Sequence, residues 1–148
     1  MESEHLPSFS LAGRIALVTG ANRGLGQVFA RAALARGARK VYAAVRDPAS
    51  VQLARVTPVK LDVTRPEDVA RAAAECGDVT LVINNAGIGA HGSFLNTPMD
   101  AARRVINVNL YGVYNGWRAL LPMMLAAGAF TGDDAGRTRT RTLITVGV

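Results

Sequence analysis

Cysteine is almost missing from this chain. Its 148 residues hold one, Cys76, so no internal disulfide framework is available. Aromatic residues make up 5%, too few to furnish the stacking platforms that single-stranded nucleic acid requires. No apolar run approaches the ~20 residues that span a bilayer. The first ten residues carry two glutamates and no apolar stretch of signal-peptide length. Two histidines, one cysteine and scattered acids give no metal-ligand spacing. These absences leave a cytoplasmic domain with neither membrane nor metal as the expectation.

What is present suits one domain with a packed core. Hydrophobic residues are 49% and charged residues 19%, and the length is that of a single unit. Seventeen Lys+Arg against 11 Asp+Glu give a net charge of +6, and 15 of the cations are arginine. Such an excess is one mark of a nucleic-acid partner. The arginines are spread along the chain, however, and only Arg137, Arg139 and Arg141 form a regular cluster. The charge therefore reads as solvated helix faces with an affinity for anionic ligands. A basic nucleic-acid-binding protein is the lesser alternative.

Residues 1–13 read as a tail and lead-in. Residues 14–19 (RIALVT) are an apolar run of strand length. From Gly24 to about Arg36, Leu25, Val28, Phe29, Ala32 and Ala33 recur at helical spacing, and Gly37 stands where a helix ends. Strands follow at 40–45 and 58–61. Thr64-Arg65-Pro66-Glu67 has the form of a capping box, predicting a helix that runs to about Cys76. A fourth strand is expected at 79–84. Residues 99–127 are helical in period and interrupted by Gly112, Gly116 and Pro122, so two helices or a bent one are expected. A polar loop at 128–142 leads to a fifth strand at 143–148. Alternation of apolar strands with helices predicts an α/β fold, a doubly wound parallel sheet of Rossmann type.

The turn between the first strand and first helix reads Thr19-Gly20-Ala21-Asn22-Arg23-Gly24-Leu25-Gly26. Glycines let the backbone turn sharply and approach a ligand, while the helix start offers free N–H groups and a positive dipole end. This is an anion site suited to a pyrophosphate. No Lys-Ser/Thr pair follows the last glycine, so it is not a Walker loop.

TGANRGLG at 19–26, LDV at 61–63, NNAG at 84–87 and VNLYG at 108–112, in that order, resemble the short-chain dehydrogenase/reductase family from residue 11 to about 127. The resemblance implies that Gly20, Asn22, Arg23, Gly24, Leu25 and Gly26 hold the cofactor pyrophosphate. Asp62 and Val63 would flank the adenine, and Asn85, Ala86 and Gly87 would complete the dinucleotide groove. An acid closing the second strand would bind a ribose 2′-hydroxyl and reject a 2′-phosphate. Here the strand closes on Val45 and is followed by Arg46, whose guanidinium matches a phosphate. With Arg23 as a second cation, NADP(H) is expected over NAD(H), Asp47 being the one acid that argues otherwise.

The family transfers a hydride between nicotinamide and a carbonyl/alcohol pair, using a serine, a tyrosine and a lysine four residues after it, aided by an asparagine. Asn109 matches the asparagine. Serine, tyrosine and lysine have no counterpart, because Tyr42, Tyr111 and Tyr114 all precede the fifth strand. The expectation is a single dinucleotide-binding domain over 1–148, truncated after the fifth strand, the cofactor-binding part of an NADP(H)-dependent oxidoreductase of unknown substrate. The alternative is a non-catalytic cofactor-binding module. Loss of neighbours at the fifth strand and at Val105, Val108, Tyr111, Leu120 and Met124 predicts self-association, as a homo-oligomer.

Overall fold

The structure is a computed structural model and describes residues 10–126 and 142–146. Five strands, β1 (Ile15–Thr19), β2 (Lys40–Val45), β3 (Thr57–Lys60), β4 (Leu81–Asn84) and β5 (Thr142–Thr145), form one sheet in the order β3-β2-β1-β4-β5. Every pairing is parallel. All five residues of β1 are buried, which is why its sequence is a continuous apolar run rather than an alternation. Alternate residues feed two cores. Leu17, Tyr42, Val59 and Val82 pack on one side with Leu120 and Met124, while Ala16, Val18, Val41 and Ile83 pack on the other with Ala30 and Ala33.

The chain winds outward from β1 to β3 and returns to β4 on the far side of β1, so the strand order reverses there. In doubly wound sheets a ligand crevice opens beside that reversal, at the carboxyl ends of the strands. The expected fold class is the one observed.

Several details differ from the sequence reading, each for a physical reason. Helix α1 (Gly24–Ala35) does not bury Leu25 and Val28, which are 59% and 53% exposed; it buries Gly26, Ala30 and Ala33. Small residues let the helix lie close on the sheet, and their apolar signal is weaker than that of the larger residues beside them. Its end matches expectation: Gly37 has φ +89°, with Gly37 N–H bonded to Leu34 O and Ala38 N–H to Ala33 O, a Schellman closure. Helix α2 (Pro66–Glu75) starts without the capping box. Arg65 takes the N-cap position with no side-chain cap, Thr64 donates its hydroxyl to Asp62 Oδ1 at 2.6 Å, and Glu67 pairs with Arg65 at 2.8 Å. Asp62 wins Thr64 because an aspartate readily closes a turn two residues on.

Of the lead-in, Leu11 is 6% exposed and its N–H bonds Arg36 O at 2.8 Å, so this part belongs to the core. Residues 1–9, 127–141 and 147–148 lie outside the described residues, and with them all of the expected loop 128–142 but Thr142, which opens β5. The long helical stretch divides into α3 (Met99–Ile106), a π turn at Asn107–Tyr111, and α4 (Gly112–Ala126). Its change of winding lies at the π turn, since Gly112 keeps right-handed helical angles. Leu120 and Met124, expected to lose their neighbours, are buried at 5% and 3%. Tyr111, of the same expected face, is exposed, and beside it runs an exposed apolar row of Ile106, Leu110, Tyr114, Trp117, Leu121 and Leu125.

Candidate functional site

The carboxyl ends of β1, β2 and β4 meet the first turn of α1 in an open cleft of about 660 Å³, within the usual size of a small-molecule site. Gly20 leaves β1 at φ +69°, its N–H bonded to Ala44 O at 2.8 Å. A Cβ on Gly20 would stand 3.1 Å from the Ala86 Cα, and one on Gly26 would stand 2.5 Å from Asn85 Nδ2 and closer still to the Gly20 carbonyl oxygen. These two glycines therefore set how near the helix start comes to the strand ends. No side chain caps α1 and no acidic residue lies in its first turn. Its opening N–H groups keep their capacity for an anion.

Thr19 ties the glycine turn to the segment after β4. Its hydroxyl oxygen accepts from Asn85 N–H and Ala86 N–H, both at 2.9 Å, and its carbonyl accepts from Asn85 Nδ2 at 3.0 Å. With Thr19 only 5% exposed, these bonds are shielded from competing water. On the other flank Asn22 Nδ2 donates to Ser50 Oγ at 3.1 Å, and Ser50 Oγ donates to Asp47 O at 2.6 Å. The Asp47 carboxylate accepts from Ala49 N–H at 3.1 Å and opens a 3₁₀ turn at Pro48–Ser50. Leu61 N–H bonds Val45 O at 2.8 Å, placing Asp62 beside Arg46. Asp62 Oδ1 accepts from both the N–H and the hydroxyl of Thr64.

All twelve groove residues picked from the sequence line this one cleft: Gly20, Asn22, Arg23, Gly24, Leu25, Gly26, Arg46, Asp62, Val63, Asn85, Ala86 and Gly87. Sequence reasoning missed Ser50, Thr64 and Ile88, and on α3 and the π turn it missed Arg104, Asn107 and Val108. The i, i+3, i+4 spacing of the last three was the available signal, since it puts them on one helix face.

Asn109 does not line the cleft. It sits in the π turn, a feature frequent at functional sites, and clasps the loop after β4: its Oδ1 accepts from Ile88 N–H at 2.9 Å and its Nδ2 donates to Ile88 O at 3.0 Å. One acceptor site and one donor of the amide are thereby engaged, both on the Ile88 backbone. Tyr42 lies at the opposite end of the sheet, where its hydroxyl donates to Asp78 Oδ1 at 2.8 Å and accepts from Lys40. Burial leads the effects that push its phenol up. Tyr111 and Tyr114 are 54% and 53% exposed on the helix surface. Cys76 is fully buried, and that burial, with Glu75 and Asp78 nearby, pushes its thiol up to about 12. It is an inert core residue. Among the described residues, no group of three His, Cys, Asp or Glu is placed to hold a metal, and no helix is long and apolar enough to cross a membrane.

A doubly wound sheet with an uncapped, glycine-bounded helix start at its switch point defines the class of nucleotide-binding α/β proteins. Residues 14–133 match the family model for short chain dehydrogenases, and the chain belongs to that family. It is 42% identical over 123 residues to the probable oxidoreductase EphD of Mycobacterium tuberculosis, covering 75% of this chain and 21% of that one. A crystal structure of a short chain dehydrogenase from Burkholderia cenocepacia in complex with NADP shares 44% identity at a TM-score of 0.75, over 80% of this chain and 51% of that one. A short chain dehydrogenase/reductase from Burkholderia phymatum in complex with NAD shares 31% identity at a TM-score of 0.71, over 81% and 47%. The chain thus spans about half the length of these solved relatives and a fifth of the mycobacterial one.

Proposed function

We propose that this chain is the cofactor-binding part of an oxidoreductase that uses NADP(H) to interconvert a carbonyl and an alcohol. The observation that carries the reading is that two arginines, one in the glycine turn and one just after β2, meet at one cleft. Arg23 and Arg46 both line the cleft, as does Asp47, whose Oδ1 accepts from the Ala49 N–H at 3.1 Å. A 2′-phosphate therefore meets two guanidinium groups, which bind phosphate through charge-assisted hydrogen bonds. The cleft also fits the rest of a dinucleotide. The uncapped start of α1 and the close approach permitted by Gly20 and Gly26 suit a pyrophosphate, and Asp62, Val63, Asn85, Ala86 and Gly87 suit the adenosine half and the path beyond it.

When bound, the nicotinamide ring gives a hydride to a carbon or accepts one from it. The chain's own contribution is to bind and orient: the glycine turn holds phosphates, Arg46 and Arg23 select the ribose substituent, and Asn109 fixes Ile88 at the rim. The 148 residues contain no Tyr-x-x-x-Lys, and none of the three tyrosines is placed at the cleft. A cofactor-binding module without catalysis is the second reading. The exposed row along α3 and α4 supports self-association.

Titration of the chain with NADPH and NADH tests the reading. NADPH is expected to bind more tightly, and Arg46→Asp to weaken NADPH by about 1–3 kcal/mol, the worth of a charged hydrogen bond, while improving NADH. Equal affinities in the parent chain overturn the cofactor assignment. NADPH-linked carbonyl reduction by the purified chain would exclude the second reading.

A further inference from the structure

We infer that Arg104 caps the purine ring of the bound dinucleotide, acting as a binding residue common to NADP(H) and NAD(H). The inference rests on the proposed dinucleotide site and deepens it. Arg104, Asn107 and Val108 present one helix face to the cleft, where Leu61, Asp62, Val63 and Thr64 also form its wall. Leu61 is 7% exposed, and Val63 and Val108 are half-buried, so this part of the cleft is an apolar slot with a charged rim. Under the proposed reading Arg46 marks the adenosine ribose. Leu61 is tied to the last residue of β2, just before Arg46, by its 2.8 Å bond to Val45 O, so the flat ring belonging in this slot is the purine.

The guanidinium of Arg104 is held by Asp100 at 3.3 Å, with side chains 66% and 74% exposed. An exposed i, i+4 pair is worth little, so Arg104 leaves it at small cost when a better partner arrives. A purine face is such a partner. Guanidinium is planar, weakly hydrated and stacks on aromatic faces, and the slot supplies apolar contact to the opposite side of the ring. Asp100 then competes with the ring for the guanidinium of Arg104.

The test is calorimetric titration of the parent chain, Arg104→Ala, Arg104→Lys and Asp100→Ala with NADPH and with NADH. Arg104 is largely exposed and its one described partner is Asp100, so these variants keep the fold, and a thermal melt checks it. Arg104→Ala is expected to weaken both nucleotides by the same factor, roughly three- to fivefold for an exposed cation–π contact. Arg104→Lys should stay near the Ala value, because an ammonium lacks the stacking plane, and Asp100→Ala should tighten both. A loss confined to NADPH, full rescue by lysine, or no change in Arg104→Ala overturns the assignment. A parent chain that binds neither nucleotide overturns the dinucleotide reading, and this assignment with it.

Discussion

Gly26→Ala is the sharpest perturbation the structure offers. The added methyl would stand 2.7 Å from the Gly20 carbonyl carbon and 2.5 Å from Asn85 Nδ2, and closer still to the Gly20 oxygen. Carbon atoms pack at about 3.5–4.0 Å, so the overlap exceeds half an ångström against backbone. Gly20 cannot retreat freely, because its N–H is bonded to Ala44 O at 2.8 Å. Asn85 is held by two bonds to Thr19, and the next residue, Ala86, by a third. The helix start must therefore move outward. Overpacking of this kind costs about 1–3 kcal/mol, against a stability of roughly 5–15 kcal/mol for a small domain, and the gain in helix propensity from Gly to Ala, about 1 kcal/mol, offsets part of it. The structure predicts a urea midpoint lowered by the net cost and dinucleotide affinity reduced at least tenfold, because the displaced N–H groups no longer converge. Urea melts and NADPH titration of Gly26→Ala read both. An unchanged melt together with parent-like affinity would refute the claim that close approach at Gly26 shapes the cleft.

Three further outcomes follow from single contacts. Asn109→Ala removes both bonds to Ile88, a loss of about 1–3 kcal/mol at the usual worth of each, and hydrogen exchange at the Ile88 amide should quicken; unchanged exchange would count against the clasp. Cys76 has its proton held in the folded state up to about 12, whereas an unfolded thiol loses it near 8.5. Its contribution is therefore complete below about pH 8.5 and is lost as pH rises toward the folded value, by up to about 1.4 kcal/mol per pH unit; Cys76→Ala should flatten the fall in urea midpoint between pH 8.5 and 10. Leu121→Lys, in the exposed apolar row of α4, should reduce self-association in sedimentation at high concentration, and a parent chain that stays monomeric there would refute that part of the proposal.

The sequence was most legible where one physical demand dominates. Buried strands announce themselves as apolar runs, and β2 at 40–45 stands where it was expected. The glycine turn was legible because strand, glycines and helix must follow in that order to bring N–H groups to a phosphate. Legibility failed where two demands compete. Leu25 and Val28 carry the strongest apolar signal on α1 yet face outward, since proximity to the sheet selects Gly26, Ala30 and Ala33. Thr64 carries a capping pattern, but Asp62 offers it a nearer acceptor. Arg104 was passed over because a helix arginine paired at i, i+4 reads as a solvated surface residue; only the fold brings it to the cleft that Leu61, Asp62, Val63 and Thr64 also line. Asn109 was found by motif, while its partner Ile88, a backbone group, has no signature in side chains.

The central claim is that a dinucleotide lies across the carboxyl ends of the strands, at the reversal beside β1. Mapping backbone amide shifts of the 15N-labelled chain during NADPH titration tests it most directly. The account predicts saturable changes concentrated at residues 20–26, 46–50, 61–64, 85–88 and 104–108. Saturable changes centred instead on Lys40, Tyr42 and Asp78, at the opposite end of the sheet, or none at millimolar NADPH, would contradict it.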